Sequence, residues 1–219
     1  MRRRLAALVL ALAALSGTSE LPAQNQLVPR IGSANDTLDA NFVPPGFGTL
    51  RQDDITLRMT LTGGLQVRAI PLDERLIRLL SPDSYNFMRQ LKASRQRSVD
   101  SIADRAHLQK VSLWYVTFYG IEQGEARFSP QQFIITNVGR DFRPIEIVPL
   151  TAGFGDYRLK QREIQSALYV FDGQLDINQP LTAQMENTPS TTDWAAVLRR
   201  VEQERAAVRS RASAAKKTP

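Results

Sequence analysis

The run Ile55-Thr-Leu-Arg-Met-Thr-Leu61, followed by Gly63-Gly64 and Leu65-Gln-Val-Arg-Ala69, alternates apolar and polar residues at period two. Successive side chains of a strand point to opposite faces, so this pattern suits a sheet with one dry face and excludes an amphipathic helix. Ile55, Leu57, Met59, Leu61, Leu65, Val67 and Ala69 form the inward set, with Thr56, Arg58 and Thr60 outward. Parity then selects the turn. A two-residue Gly-Gly loop would set Leu61 opposite Gln66, whereas a three-residue Thr62-Gly63-Gly64 loop sets Leu61 opposite Leu65 and keeps the face dry. The second is expected, as a type I turn with glycine in the left-handed position.

Strand signals return in the second half. Leu113–Tyr119 is almost wholly apolar or aromatic, as for a central strand covered on both faces. Gly120 and Gly124 bracket a loop. Gln132–Thr136 and Phe142–Val148 read as strands joined by the turn-rich Asn137–Asp141. Thr151–Asp156 reads as a loop, Ser166–Phe171 and Leu181–Met185 as strands. Between the halves, Leu72–Leu80 fits either a helix or a short buried strand. Ser81-Pro82-Asp83 then has the chemistry of a helix start. Tyr85, Met88, Leu91, Val99, Ile102, Ala103 and Ala106 follow at helical spacing, broken near Arg95, which predicts one long helix or two abutting ones over 83–107. After Pro189, Thr192 or Asp193 caps a last helix whose stripe is Trp194, Val197, Leu198, Val201 and Val208. Arg205 interrupts that stripe and pairs with Glu202 on the exposed side, and the tail from Ala212 should fray. The fold class expected is mainly β (α+β overall), an antiparallel β-sandwich with a helical insertion and a C-terminal amphipathic helix.

The N-terminus reads as an export signal. Arg2, Arg3 and Arg4 precede the apolar core Leu5–Leu15, and the small residues near Ala23 suit cleavage before Gln24. Residues 1–23 are therefore expected to be a signal peptide and 24–53 an extended arm pinned by Phe42 and Phe47. Residues 54–189 would form the β-domain and 190–219 a basic helix and tail. The protein is expected to be exported, periplasmic or secreted. With no cysteine in the chain, such a protein must hold its fold by core burial without disulfides. The net charge of +6 resides in the two ends, because residues 24–193 carry 18 basic and 19 acidic residues. That distribution argues against reading the high pI as a sign of nucleic-acid binding.

Catalytic motifs are missing: no Gly-x-Ser-x-Gly, His-Glu-x-x-His, phosphate loop or dinucleotide fingerprint occurs. No catalytic residue and no cofactor is therefore assigned. His107, the only histidine, sits where the long helix should end and reads as a capping or surface residue. Asp172, Asp176 and Asn178 offer oxygen ligands for calcium, although their order is not that of an EF-hand and both residue types form turns for backbone reasons. Arg140, Arg143, Arg158, Lys160 and Arg162 would make an anion-binding patch if their loops converge. The helix over 194–211 could lie on an anionic membrane or, as the simpler alternative, dock on its own domain.

Ala126-Arg-Phe-Ser-Pro130, Phe133-Ile-Ile-Thr136, Gly139-Arg-Asp-Phe-Arg-Pro144, Ala167-Leu-Tyr-Val-Phe171 and Pro180-Leu-Thr182 together carry a resemblance. The stretch over about 113–186 resembles exported bacterial immunoglobulin-like β-sandwich domains of unknown function. The shared motifs concern turns and core positions, so the resemblance implies a fold and no active site. The helix over 83–107 and the basic tail depart from it. The function expected is a non-catalytic binding or structural module of a bacterial cell envelope, with an envelope protein or an acidic glycan as partner. Two alternatives stand beside it: an exported hydrolase using a carboxylate pair drawn from Asp53, Asp54 and Asp172, and attachment to a membrane surface or anionic polymer through the basic helix.

Overall fold

The computed structural model describes residues 41–216. The expected export signal, the expected arm up to residue 40 and the last three residues lie outside them. The expected hairpin forms β1 (Leu57–Leu61) and β2 (Leu65–Pro71), with Leu61 opposite Leu65 across the three-residue turn. Its inward set is buried to the last residue, from Leu57 to Ala69. The strand starts two residues later than the alternation suggests. Ile55 closes a 3-10 turn over Gln52–Ile55, and Thr56, expected outward, is buried because its hydroxyl donates back to the Gln52 carbonyl at 2.6 Å.

The ambiguous segment is a single helical turn, α1 (Glu74–Ile77), capped by Asp73. One unbroken helix follows, α2 (Pro82–Arg105), with Pro82 in its first turn. It buries Tyr85 and Met88 at one end and Val99 and Ile102 at the other. Phe87 meets Tyr115 edge-on at 6.2 Å, and Arg105 pairs with Glu146 at 3.3 Å, so α2 covers one face of the sheet described next.

Nine further strands complete the molecule: β3 (Val111–Gly120), β4 (Glu125–Arg127), β5 (Ile134–Asn137), β6 (Arg140–Phe142), β7 (Glu146–Pro149), β8 (Arg158–Lys160), β9 (Ile164–Asp172), β10 (Leu181–Met185) and β11 (Thr188–Pro189). They form a five-stranded sheet in the order β1-β2-β3-β9-β7, a four-stranded sheet in the order β11-β10-β5-β6, and a two-stranded β4-β8 ribbon. Every ladder is antiparallel. As expected, β3 is central. The single strand expected over 142–148 is instead two, β6 and β7, in different sheets. Pro144 lacks the N–H a continuing ladder needs, and at Ile145, whose N–H donates to Val170, the chain passes to the first sheet. β4, β8 and β11, of two or three residues each, are too short to show alternation and had no counterpart in the sequence pattern.

One core runs through both larger sheets. Phe133, just before β5, packs its ring on Tyr169 at 5.4 Å and Phe171 at 6.2 Å, both on β9. The Tyr169 hydroxyl donates to the Pro130 carbonyl at 3.1 Å, and burial pushes its phenol pKa far up, so it stays a neutral donor.

The last helix is α3 (Trp194–Ala215), and Asp193 caps it by accepting from the N–H groups of Ala195 and Ala196. It docks on its own domain. Trp194, Val197, Val201, Arg205, Val208 and Ala212 are buried along one stripe. Two expectations are corrected here. Arg205 lies inside the stripe, 1% exposed, and reaches out to Glu202 while also donating to the Arg75 carbonyl. Ala212 is helical and buried, because α3 runs on over the arm: Arg211 donates to the Phe47 carbonyl and pairs with Glu204, which also accepts from Thr49. The arm is pinned as expected near Phe42, over which the Arg78 guanidinium sits at 5.0 Å. Leu50 bridges Leu80 in parallel, and a side chain at Gly48 would collide with the Leu79 carbonyl.

Candidate functional site

At the far end of β3 the backbone of β8 comes very close. A Cβ on Gly120 would collide with the Lys160 carbonyl oxygen, so only glycine permits the approach. The N–H of Gly120 donates to Glu163 at 3.1 Å, and that of Arg162 donates to Gly120 at 2.7 Å, with Arg162 turned into the left-handed region (φ 66). These bonds hang the β4–β8 ribbon on the end of the first sheet.

The ribbon has two unlike faces. Ala126 and Leu159 are opposite each other and buried, which holds it to the core. Glu125, Arg127, Arg158 and Lys160 occupy the exposed face. Glu125 stands opposite Lys160, opposite charges in register, but Arg127 stands directly opposite Arg158. Like charges in that position repel. Both guanidinium groups share a single carboxylate oxygen, Glu125 Oε1, at 3.7 and 3.6 Å, too long for good hydrogen bonds.

Next to this pair, Tyr157 is also left-handed (φ 51), and its side chain is 40% exposed. Its ring stands edge-on to Phe128 at 5.9 Å and to Phe154 at 6.0 Å. Phe128 in turn stacks on Phe118 of β3 at 4.3 Å, which roots the exposed ring in the core.

Two shallow grooves flank the ribbon, and Arg158 lines both. One, of about 800 Å³, lies between the ribbon and the Thr151–Gly155 turn, with Glu125, Lys160 and Glu163 on its walls. Gln165 also lines it. Its side-chain N–H donates to the Arg158 carbonyl at 3.1 Å, while its Oε1 is buried without a partner. The other groove, of about 570 Å³, is lined by Arg127, Gln132, Tyr157, Glu186 and Asn187. Glu186 and Asn187 form the β10–β11 turn, both at positive φ (49° and 64°), as a two-residue type I′ turn requires. Glu186 Oε1 accepts from the Ser129 N–H at 2.9 Å.

The structure divides the cations expected to form one patch. Arg158, Lys160 and Arg162 lie at this end. Arg140 instead opens β6, where it donates to Gln174 and lies over the Phe142 ring at 5.1 Å, and Arg143 is exposed just beyond. Gln174 follows Asp172, which pairs with Val111, whereas Ile164 beside the ribbon pairs with Tyr119. Eight residues of antiparallel ladder separate the two groups by about 27 Å.

The calcium candidates are engaged in turns. Asp172 accepts from the Gln174 N–H at 2.9 Å, and Asp176 accepts from the N–H and the side chain of Asn178 at 3.0 and 3.2 Å. Among the described residues, no group of three or more acidic, histidine or cysteine side chains is placed to hold a metal ion. His107 is exposed past the end of α2, left-handed at φ 53, with its N–H on the Asp104 carbonyl. Neither groove is lined by Asp53, Asp54 or Asp172. Asp53 pairs with Arg58 at 2.9 Å and Arg68 at 3.5 Å, and Asp54 with Arg200 at 2.8 Å. Among the described residues no helix is long and apolar enough to cross a membrane.

Sequence reasoning missed Arg127, Gln132, Tyr157, Gln165 and the Glu186-Asn187 turn. The usable signal was Gly155-Asp-Tyr157-Arg158, an aromatic beside a cation in a glycine turn. Compared with protein-family models, with curated proteins and with solved structures, the chain matches none.

Proposed function

We propose that this protein is an exported, non-catalytic binding module of a bacterial cell envelope that holds an extended, negatively charged ligand or partner across the β4–β8 ribbon. One observation carries the reading: Arg158 lines two adjacent grooves, opposite a second arginine with which it shares one distant carboxylate. Two adjacent shallow grooves that share Arg158 suit a chain lying over the surface better than a small molecule enclosed in a pocket. Guanidinium groups are the natural partners of carboxylate, sulfate or phosphate. The N-terminal sequence, with its cationic start and short apolar core, supports export. Two antiparallel sheets around one core, together with the motifs over 113–186, support an immunoglobulin-like β-sandwich as the frame.

Cross-linking in living cells of the native host tests the reading. The mature protein, starting at Gln24, should be recovered outside the cytoplasm and should capture a component of the envelope. Arg158→Glu should reduce capture about tenfold, as loss of a charge-assisted contact does, whereas Arg140→Glu, at the other end of the sheet, should leave it unchanged. Equal capture by all three proteins would overturn the site. Reproducible turnover on a panel of hydrolase substrates would overturn the non-catalytic assignment.

A further inference from the structure

We infer that the groove on the Tyr157 side is a subsite for an anionic saccharide, one pyranose ring resting on Tyr157 and its acidic group held between Arg127 and Arg158. The inference deepens the binding reading above and rests on it.

Three independent features converge. First, the Tyr157 ring is exposed yet held, edge-on to both Phe128 and Phe154. An aromatic face carries negative charge density and attracts the polarised C–H bonds of a sugar ring, and a ring already fixed loses little entropy on contact. Second, Arg127 and Arg158 form a like-charge cross-strand pair that the ribbon accommodates with one shared carboxylate at 3.6–3.7 Å. An anion between them would relieve the repulsion and form the charge-assisted bonds now lacking. Third, the remaining wall offers Gln132, Asn187 and Glu186. Amides donate and accept, and a carboxylate accepts only, which is the complement a set of hydroxyl groups needs. Glu186 on the same wall also disfavours a phosphodiester chain, whose charge is unbroken along its length, and so separates saccharide from nucleic acid. Because Arg158 continues into the second groove, past Lys160, the ligand is an oligosaccharide rather than a single sugar.

The experiment is titration of the full mature chain by calorimetry and ligand-observed NMR, with four probes: a tetramer of galacturonate, a sulfated tetrasaccharide, neutral maltotetraose and a short DNA duplex. The uronate or the sulfated probe should bind with Kd on the order of 0.1–1 mM, the range of a shallow groove with few anchors. Their ranking tells carboxylate from sulfate. Maltotetraose and DNA should each bind at least about tenfold more weakly. Tyr157→Asn keeps a residue that tolerates the left-handed backbone and removes the ring. Arg127→Gln changes a side chain that is 74% exposed, so its fold is not in question. Each should weaken the acidic probe by about fivefold or more. Unchanged affinity in Arg127→Gln, or DNA binding tighter than either acidic sugar, would overturn the inference. If no saccharide binds while Arg158→Glu still reduces envelope capture, the ligand class is wrong and the binding reading stands. If capture is also insensitive, both fall.

Discussion

Asp73 shows how one side chain at a junction can set the acid limit of the fold. Burial alone would raise its pKa, but Arg75 reverses this by donating two side-chain bonds at 3.0 and 2.7 Å, its own N–H at 2.8 Å and its charge, with Lys92 adding to the field. The net effect holds the carboxyl below its ordinary value of 3.8. A depressed pKa means that the unfolded chain takes up the proton first as pH falls. The stabilisation is therefore complete above the unfolded value and is lost as pH drops through the lower, folded one. Asp73→Asn keeps a capping oxygen for α1 and removes the charge. Near pH 7 it should cost about 1.5–3 kcal/mol, the usual worth of a charged hydrogen bond. Urea midpoints measured from pH 7 down to pH 2 should show the two proteins converging in the acid range. A constant gap across that range would assign the effect to packing instead.

Among the elements, the ribbon that carries the site depends on one glycine. Gly120→Ala places a methyl group against the Lys160 carbonyl, and neither backbone can give way without breaking the Gly120–Glu163 and Arg162–Gly120 bonds. Overpacking of this kind costs about 1–3 kcal/mol. The displacement should also move Arg158, so affinity for the acidic probe should fall together with the thermal midpoint; a fall in only one of them would show that the ribbon's position and its chemistry are uncoupled. The ribbon also marks the limit of what the sequence could show. The register of the β1–β2 hairpin, though not its first residue, was readable because parity over a dozen positions admits one pairing. β4 and β8 have three residues each, and three residues cannot establish a period. Gly120 and Arg158 were both visible, one as a loop boundary and the other as part of a charge run. Their meeting in space depends on the long return of the chain through β5, β6 and β7. For the same reason Arg140 and Arg158, only eighteen positions apart, could not be placed at opposite ends by inspection. Arg205 failed differently: its type argued for the surface, but its position in the Trp194–Ala212 stripe argued for the core, and position won because its long side chain reaches Glu202 at the edge.

For the whole molecule, α3 is a structural member rather than an appendage. It covers Trp114 with Trp194, whose ring centroids lie 6.2 Å apart, ties the Ile177 carbonyl through the Trp194 N–H at 2.9 Å, and clasps the arm through Glu204 and Arg211. Burial of one large apolar side chain contributes about 1.5–3 kcal/mol, and α3 buries Trp194, Val197, Val201 and Val208 in one stripe. Their sum reaches the whole margin of about 5–15 kcal/mol by which a domain of this size is stable. A chain ending at Asp193 should therefore lose its cooperative thermal transition and bind a hydrophobic dye, whereas retention of a sharp melt would show that the sheets stand alone. This decides how attachment through the basic helix must be tested. The apolar stripe is already spent on the domain, so only the outer charges remain to meet an anionic surface. Removing residues 194–219 would confuse loss of a contact with loss of the fold. Charge reversal at Arg199 and Arg209, both on the exposed side, separates the two. With the ligand seated at the ribbon, that variant should keep its melting behaviour and its affinity for the acidic saccharide within error, and co-sedimentation with anionic vesicles should be equally low for both proteins. Vesicle binding by the parent that disappears on charge reversal would move the functional surface from the ribbon to α3.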